Sequence, residues 1–260
     1  MLEPQRLQGY LRDVVARTRE GVPVGPFTLF VDRHTDHPFL NYAIPETGAR
    51  AWPAEAIAAL RDACTERGRV ARLEFVVAAA PGLAEALAAG GFDLEAELAV
   101  MVCTPATLAH SPRPPGMTIE TVGATAPPVL VRDLISAQRE AFGESPAVAD
   151  GEVARFVRVI GAGAGLLARV DGEPAAGAQY TSPAGGLAEL AGIGTRPRFR
   201  RRGLAGALTA ATAAHAFAHG ADTAFLTPGD DGAQRVYERA GFTPVTRMVH
   251  MRVPGRSGNG

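Results

Sequence analysis

Cysteine is nearly absent: Cys64 and Cys103 are the only two in 260 residues. They lack metal-ligand spacing, and one pair is not a disulfide framework, so a stapled secreted scaffold is excluded. No stretch of about 18 uncharged apolar residues occurs, so no membrane-spanning helix is expected. The opening MLEPQRLQGY has no basic stretch leading into an apolar run, so no secretory signal is expected. Net charge is also scarce, at −1. A protein that grips a polyanion over a long surface is usually basic overall, so nucleic acid is not an expected partner. Together these absences suggest a soluble cytoplasmic protein with no membrane partner. Apolar residues are plentiful, at 47%, enough for a real core in one large or two small domains.

Helix-period and strand-period segments alternate along the chain. PAEAIAALRDACTERG (53–68) has helical apolar spacing and a closing Gly68. VARLEFVVA follows as a strand, PGLAEALAAGGF as a helix ended by glycines, and LEAELAVMVC as a strand. The segment 103–117 then concentrates Pro, Ser and Thr, as a linker does. Beyond it, MTIETV predicts a strand, and VLVRDLISAQREAF and GEVARFVRVIGA predict helices. Two strands turn at Asp171-Gly172, GLAELAGIGT is a third, and GLAGALTAATAAHAFAHG is a long helix closed by Gly220. DTAFLT, GAQRVYERAG and PVTRMVHMRV complete the pattern as strand, helix and strand. The expected class is α+β, a mixed α/β layout with a mostly antiparallel sheet flanked by helices.

The two halves end alike. Each runs helix end, strand, short helix, Gly-Phe, strand and Pro, with Gly91-Phe92 matching Gly241-Phe242. This suggests a duplication, with domains at 1–105 and 117–254, a linker at 106–116 and a flexible tail at 255–260. Where the second half has a tyrosine four residues before its Gly-Phe, Tyr237, the first half has Leu87, which has no proton to give.

One stretch exists only in the second half. In RPRFRRRGLAGALTAA (196–211), five arginines fall within seven residues and the chain then turns small and apolar. Arg200, Arg201 and Arg202 stand at the start of the long helix. A helix N-terminus already carries about half a positive charge and unpartnered N–H groups, so acidic residues belong there. Cations followed by Gly203, Leu204, Ala205 and Gly206 instead describe a cradle for an anion, phosphate above all. A solvated basic surface is the plain alternative. No aromatic stacking series accompanies the run to suggest single-stranded nucleic acid. The spacing matches neither a Walker loop nor a dinucleotide fingerprint.

Arg200-x-x-Gly203-x-Ala205 resembles the pyrophosphate-binding signature of the GNAT acetyltransferase superfamily: Gln or Arg, two residues, Gly, one residue, Gly or Ala. RVYERAGF resembles the family's closing Tyr-x-x-x-Gly-Phe. The resemblance spans about residues 117–254, and the first half resembles a degenerate copy. It implies acetyl-CoA as co-substrate, without a metal, and an amine acceptor. Arg200 and the backbone of Arg201 to Gly206 would hold the diphosphate, and Ile193 and Thr195 the pantetheine arm. Tyr237 matches the tyrosine that protonates the leaving sulfur; a core aromatic is the alternative. Glu189, mid-strand among apolar neighbours, matches a glutamate that acts as base through water; a structural carboxylate is the alternative. Asp230 stands where many members have an Asn on the cofactor, and could equally cap the next helix. Glu144 falls in the region that lines the acceptor pocket in the family; an ordinary loop carboxylate is the favoured reading. His215 and His219 are four apart, but no third metal ligand is apparent. The implied activity is N-acyl transfer to a small amine, by a monomer or homodimer. A protein or peptide acceptor, or a non-catalytic acyl-CoA-binding module, is the alternative.

Overall fold

The computed structural model describes residues 2–254, so the tail expected at 255–260 lies outside the described residues. The chain divides into two compact units, Met1–Val100 with Val245–Gly260, and Met101–Pro244.

The first unit begins with α1 (Pro4–Ala16) and the strands β1 (Glu20–Val24), β2 (Phe27–Val31) and β3 (Tyr42–Pro45). It continues with α2 (Ala54–Glu66), β4 (Arg72–Val76), α3 (Leu83–Ala89) and most of β5 (Asp93–Cys103). The first three strands had no counterpart in the sequence reading. They are four or five residues long, and Pro23 and Pro26 interrupt their pattern. Gly25, at φ 57°, makes the β1–β2 turn. β1–β2 and β2–β3 are antiparallel, and β3–β4 is parallel. β4 then pairs antiparallel with Met248–Arg252 of β11 (Thr243–Arg252), the last strand of the chain. Ile57, Leu60, Leu83 and Leu87 pack α2 and α3 against Phe27, Leu73 and Phe75.

After an additional strand and helix, the second unit repeats this order. It contains β6 (Met117–Val122), α4 (Pro128–Ala141), α5 (Asp150–Ile160), β7 (Ala164–Val170), β8 (Glu173–Tyr180) and β9 (Leu187–Thr195). Then come α6 (Leu204–Ala218), β10 (Thr223–Leu226) and α7 (Asp231–Arg239). β6 to β9 form an antiparallel meander. Asp171 and Gly172 turn β7 into β8 with φ of 51° and 83°, the left-handed pair that a two-residue hairpin requires. β9 and β10 are parallel, joined through α6. On its other edge β10 pairs antiparallel with Met101–Cys103 of β5. The end of β11 thus pairs within the first unit and the end of β5 within the second.

The core of the second unit is layered. α6 is alanine-rich and buried on most sides, and it packs on Ala176, Ala178, Ala188 and Leu190. α4 covers the opposite face through Val131, Leu134 and Ala137, against Val122 and Leu167. Residues 104–116 contain no helix or strand.

Candidate active site

β9 and β10 separate part-way along. Their ladder ends at Glu189↔Phe225, so Leu190–Thr195 have no β10 partner. A groove of about 1140 Å³ opens there, lined by residues 190–195, the loop before α6, its first turn, and one side of α7. All of the lining belongs to the second unit.

The arginine run builds one wall. After the single 3-10 turn Pro197–Phe199, Arg201 adopts φ 62° and Gly203 φ 82°. A left-handed arginine is uncommon, since only glycine adopts this conformation without strain. At Gly203 any side chain would be strained, whereas Gly206 has ordinary helical backbone with Val236 Cγ1 4.0 Å from where a Cβ would stand. No side chain caps α6, and Arg201 and Gly203–Ala207 line the groove. The first-turn N–H groups and the positive end of the helix dipole thus face the groove without a capping side chain.

The five arginines divide their work. Arg196 is buried, donates to Pro174 O and Ser136 Oγ, and pairs with Glu140. Arg198 pairs with Glu173. Arg200 donates to Thr195 O (3.2 Å) and to Ala141 O at the end of α4 (2.8 Å), which ties α4 to the end of β9. Arg202 lies over Phe199 and donates to Arg198 O; it is not part of the lining. Arg201 has no ion pair among the described residues. Arg239 adds a further cation to the lining, and Asp230 is its only carboxylate.

Asp230 caps α7, its Oδ1 accepting from Ala233 N at 2.7 Å. Tyr237, on the same helix, is 8% exposed, leans on Phe242, and lines the groove. Burial first, and then the charge of Asp230, push its phenol up to about 12.

Ile193, Thr195, Arg200, Arg201, Gly203–Gly206, Asp230 and Tyr237 all come together in this lining. Glu189 does not: the lining of β9 begins at Leu190. By strand alternation its side chain lies on the face opposite Ala188 and Leu190. Glu144 is exposed, 3.8 Å from Arg139. His215 bonds Tyr180 Oη through Nδ1 (3.0 Å) and stacks on His219. Among the described residues, no group of three metal-ligating side chains forms.

Several lining residues escaped the sequence reading. Phe142, at the end of α4, is 60% exposed and borders the groove with Ala141. His110, Ser111 and Pro112 of the segment between β5 and β6 form another border. That segment is fixed by Ala109 N donating to Ala240 O, and Gly241 is required beside it because a Cβ would stand 2.0 Å from Thr107 O.

The model of the Acetyltransferase (GNAT) family matches residues 131–242. The chain is also similar to a solved GCN5-related N-acetyltransferase from Kribbella flavida, at 31% identity and TM-score 0.81, covering 98% of this chain and 97% of that one. The chain belongs to the GNAT family. A GCN5-related N-acetyltransferase from Sphaerobacter thermophilus shares the fold at 19% identity and TM-score 0.67, over 97% and 90% of the two chains. So does a tandem GNAT protein from the clavulanic acid biosynthesis pathway, at 15% identity and TM-score 0.63, over 89% and 79%. No curated protein matches the chain. These similarities extend through the first half, so both halves align with GNAT folds. As a GNAT protein it has acyl-CoA-dependent N-acetyl transfer as its general activity, with acetyl-CoA the co-substrate the family implies. No helix among the described residues is long and apolar enough to cross a membrane.

Proposed function

We propose that this GNAT protein transfers the acetyl group of acetyl-CoA directly to the amine of a small molecule. The observation that carries the reading is the join of three features in one groove. These are an uncapped helix start preceded by left-handed backbone, a strand edge without a partner, and a buried phenol. The N–H groups from Arg201 to Gly206 and the guanidinium of Arg201 suit a diphosphate. The open edge at Ile193 and Thr195 suits an amide-bearing arm, which can add to it as a strand does. Arg200 supports this wall by holding α4 and β9 together.

In the reaction an unprotonated amine attacks the thioester carbonyl, the C–N bond forms and the C–S bond breaks. Tyr237 faces the groove with its proton in place at neutral pH and gives it to the leaving sulfur. A phenol near 12 is a weak donor to a thiolate in water, but the same burial that raises the phenol also raises a desolvated thiol. Glu189, outside the lining, takes the amine's proton through water.

The small-molecule acceptor is favoured by the groove's single carboxylate, Asp230, which is already engaged as a helix cap. A basic peptide would find little to pair with there.

The test is calorimetric titration with acetyl-CoA, followed by thiol release with a panel of small amines and with a basic peptide. Binding with amine-dependent thiol release supports the reading. Binding without release from any acceptor identifies a non-catalytic module, and release with the peptide alone overturns the small-molecule acceptor. Gly206→Glu is the companion variant. Glutamate in the first helical turn complements the dipole, so the fold should hold while a carboxylate occupies the anion cradle. Acetyl-CoA affinity should fall at least about 100-fold, since a charge then faces a diphosphate; unchanged affinity would remove the loop from the site.

All 26 basic residues of the chain are arginine. Acetylation of an added protein can therefore be followed by mass without lysine self-modification of the enzyme.

A further inference from the structure

β9 leaves its regular ladder at one place. Gly177 faces Gly194 and Gln179 faces Ala191, so Ala178 alone stands opposite Gly192 and Ile193. The extra residue is a bulge, with Gly192 at φ 61°. The bulge lies within the stretch 190–195 that lines the groove, beyond the last residue paired with β10. Its shape therefore decides which backbone groups β9 presents there.

A side chain from another element holds that shape. Gln138 on α4 donates from Nε2 to Gly192 O at 2.9 Å, and the same nitrogen lies 3.5 Å from Gln179 Oε1. A Cβ on Gly192 would stand 2.3 Å from this nitrogen, so the amide occupies the space of the missing side chain. α4 can come this close because the sheet beneath it is paved with glycine. A Cβ at Gly177 would fall 2.7 Å from Gln138 Cγ, and one at Gly194 would fall 2.6 Å from Ala141 Cβ. A bulge takes a residue out of the ladder, and its polar groups then need another partner. The Gln138 amide is that partner for the Gly192 carbonyl.

We propose that Gln138 is a positioning residue for acyl transfer: its amide fixes the bulge at Gly192 and thereby sets the strand edge on which the thioester arm rests. This rests on the acetyl-CoA reading above. Gln138 makes no contact with the reacting atoms; it acts through the backbone of Gly192 and Ile193.

The test uses two variants of nearly unchanged size. Gln138→Glu replaces the donor with a carboxylate facing a carbonyl. At about pH 8 its affinity for acetyl-CoA by calorimetry should be about tenfold below the parent, the effect of an unmade, partly buried hydrogen bond. Burial beside a carbonyl raises the pKa of that carboxyl, so at about pH 5.5 it is protonated and donates again. Affinity should then return to within about threefold of the parent at the same pH. Gln138→Met offers no donor and should stay weak at both pH values. Parent-like affinity in both variants at about pH 8 overturns the proposal. So does an equal deficit of Gln138→Glu at both pH values, which would mark a packing role. If circular dichroism shows Gln138→Glu unfolded at the higher pH, Gln138→Met decides alone: a weakened site in a folded protein supports the proposal and an unchanged one overturns it. A parent that binds no acetyl-CoA overturns the underlying reading instead, so the two failures are distinct.

Discussion

Tyr237 is buried yet borders the groove, and its ring is braced by Phe242. Phenylalanine keeps that packing and removes only the oxygen, so Tyr237→Phe separates the chemical role from a core role. If the phenol protonates the leaving sulfur, kcat should fall about 100-fold or more while KM for acetyl-CoA barely moves. Because its pKa is pushed up to about 12, the phenol keeps its proton throughout neutral and mildly alkaline assays. Loss of that proton therefore contributes no decline in kcat between about pH 7 and 9. A kcat within about twofold of the parent would assign Tyr237 to packing. Glu189 is tested beside it, since a base that works through water should leave its mark on the acid limb of kcat/KM. Glu189→Gln should flatten that limb, and an unchanged profile would take Glu189 out of the mechanism.

Among the elements, α6 serves both binding and stability. Its first turn lines the groove as the proposed anion cradle, and its last turn carries His215 against Tyr180. Desolvation first, and then the neighbouring His219, hold the His215 imidazole below its ordinary value. The sign follows from linkage. Above the unfolded pKa, about 6.5, both states are neutral and the contribution is intact; as pH falls through the lower folded pKa, the unfolded chain takes up the proton first and stability is lost. Melting temperature should therefore drop between about pH 7.5 and 5.5, and the drop should be smaller in His215→Gln, which does not titrate. Equal drops in parent and variant would place the pH dependence elsewhere, with His250 in the other unit the next group to examine, since burial lowers it as well.

The elements also show what could be read from sequence. The helices and strands after residue 53 were legible because their apolar periods are long and Gly68, Asp171-Gly172 and Gly220 punctuate them. The uncapped helix start at the groove was legible because arginines before a glycine-rich helix start contradict the ordinary preference of that position. β1, β2 and β3 were not, being short and broken by proline. Nor were the pairings of β4 with β11 and of β10 with β5, which no local pattern encodes. Gln138 was invisible for the same reason: an ordinary helix glutamine matters only once Gly192 is seen beneath it.

At the scale of the whole molecule, the two units share a run of helix, three strands, helix, strand, helix and strand, and differ in what stands before the crossover helix. In the second unit that place holds left-handed Arg201 and Gly203, and α6 starts uncapped beside open space. In the first, α2 follows Trp52 and Pro53 and carries Glu55 in its first turn. Trp52 stacks on Phe27 at 5.8 Å and donates from Nε1 to Pro81 O just before α3, while Arg50 donates to Ala79 O. The gap between α2 and α3 is thus bridged by an indole and a guanidinium. Glu55 already complements the dipole that a diphosphate would use. Leu87, in the place of Tyr237, is fully buried in the core. The first unit should accordingly bind no acetyl-CoA. Titration of the full chain should give one acetyl-CoA per chain, and Gly206→Glu should abolish all detectable binding. Trp52→Ala provides the complementary arm. It opens the bridge but leaves Glu55 and the missing glycine cradle in place, so it should lower stability by about 1 to 2 kcal/mol, less than a fully buried aromatic would, without creating a second site. Two acetyl-CoA per chain in the parent, or residual binding in Gly206→Glu, would show that the first unit is a working cofactor domain. A second site appearing only in Trp52→Ala would show that the indole alone keeps it closed.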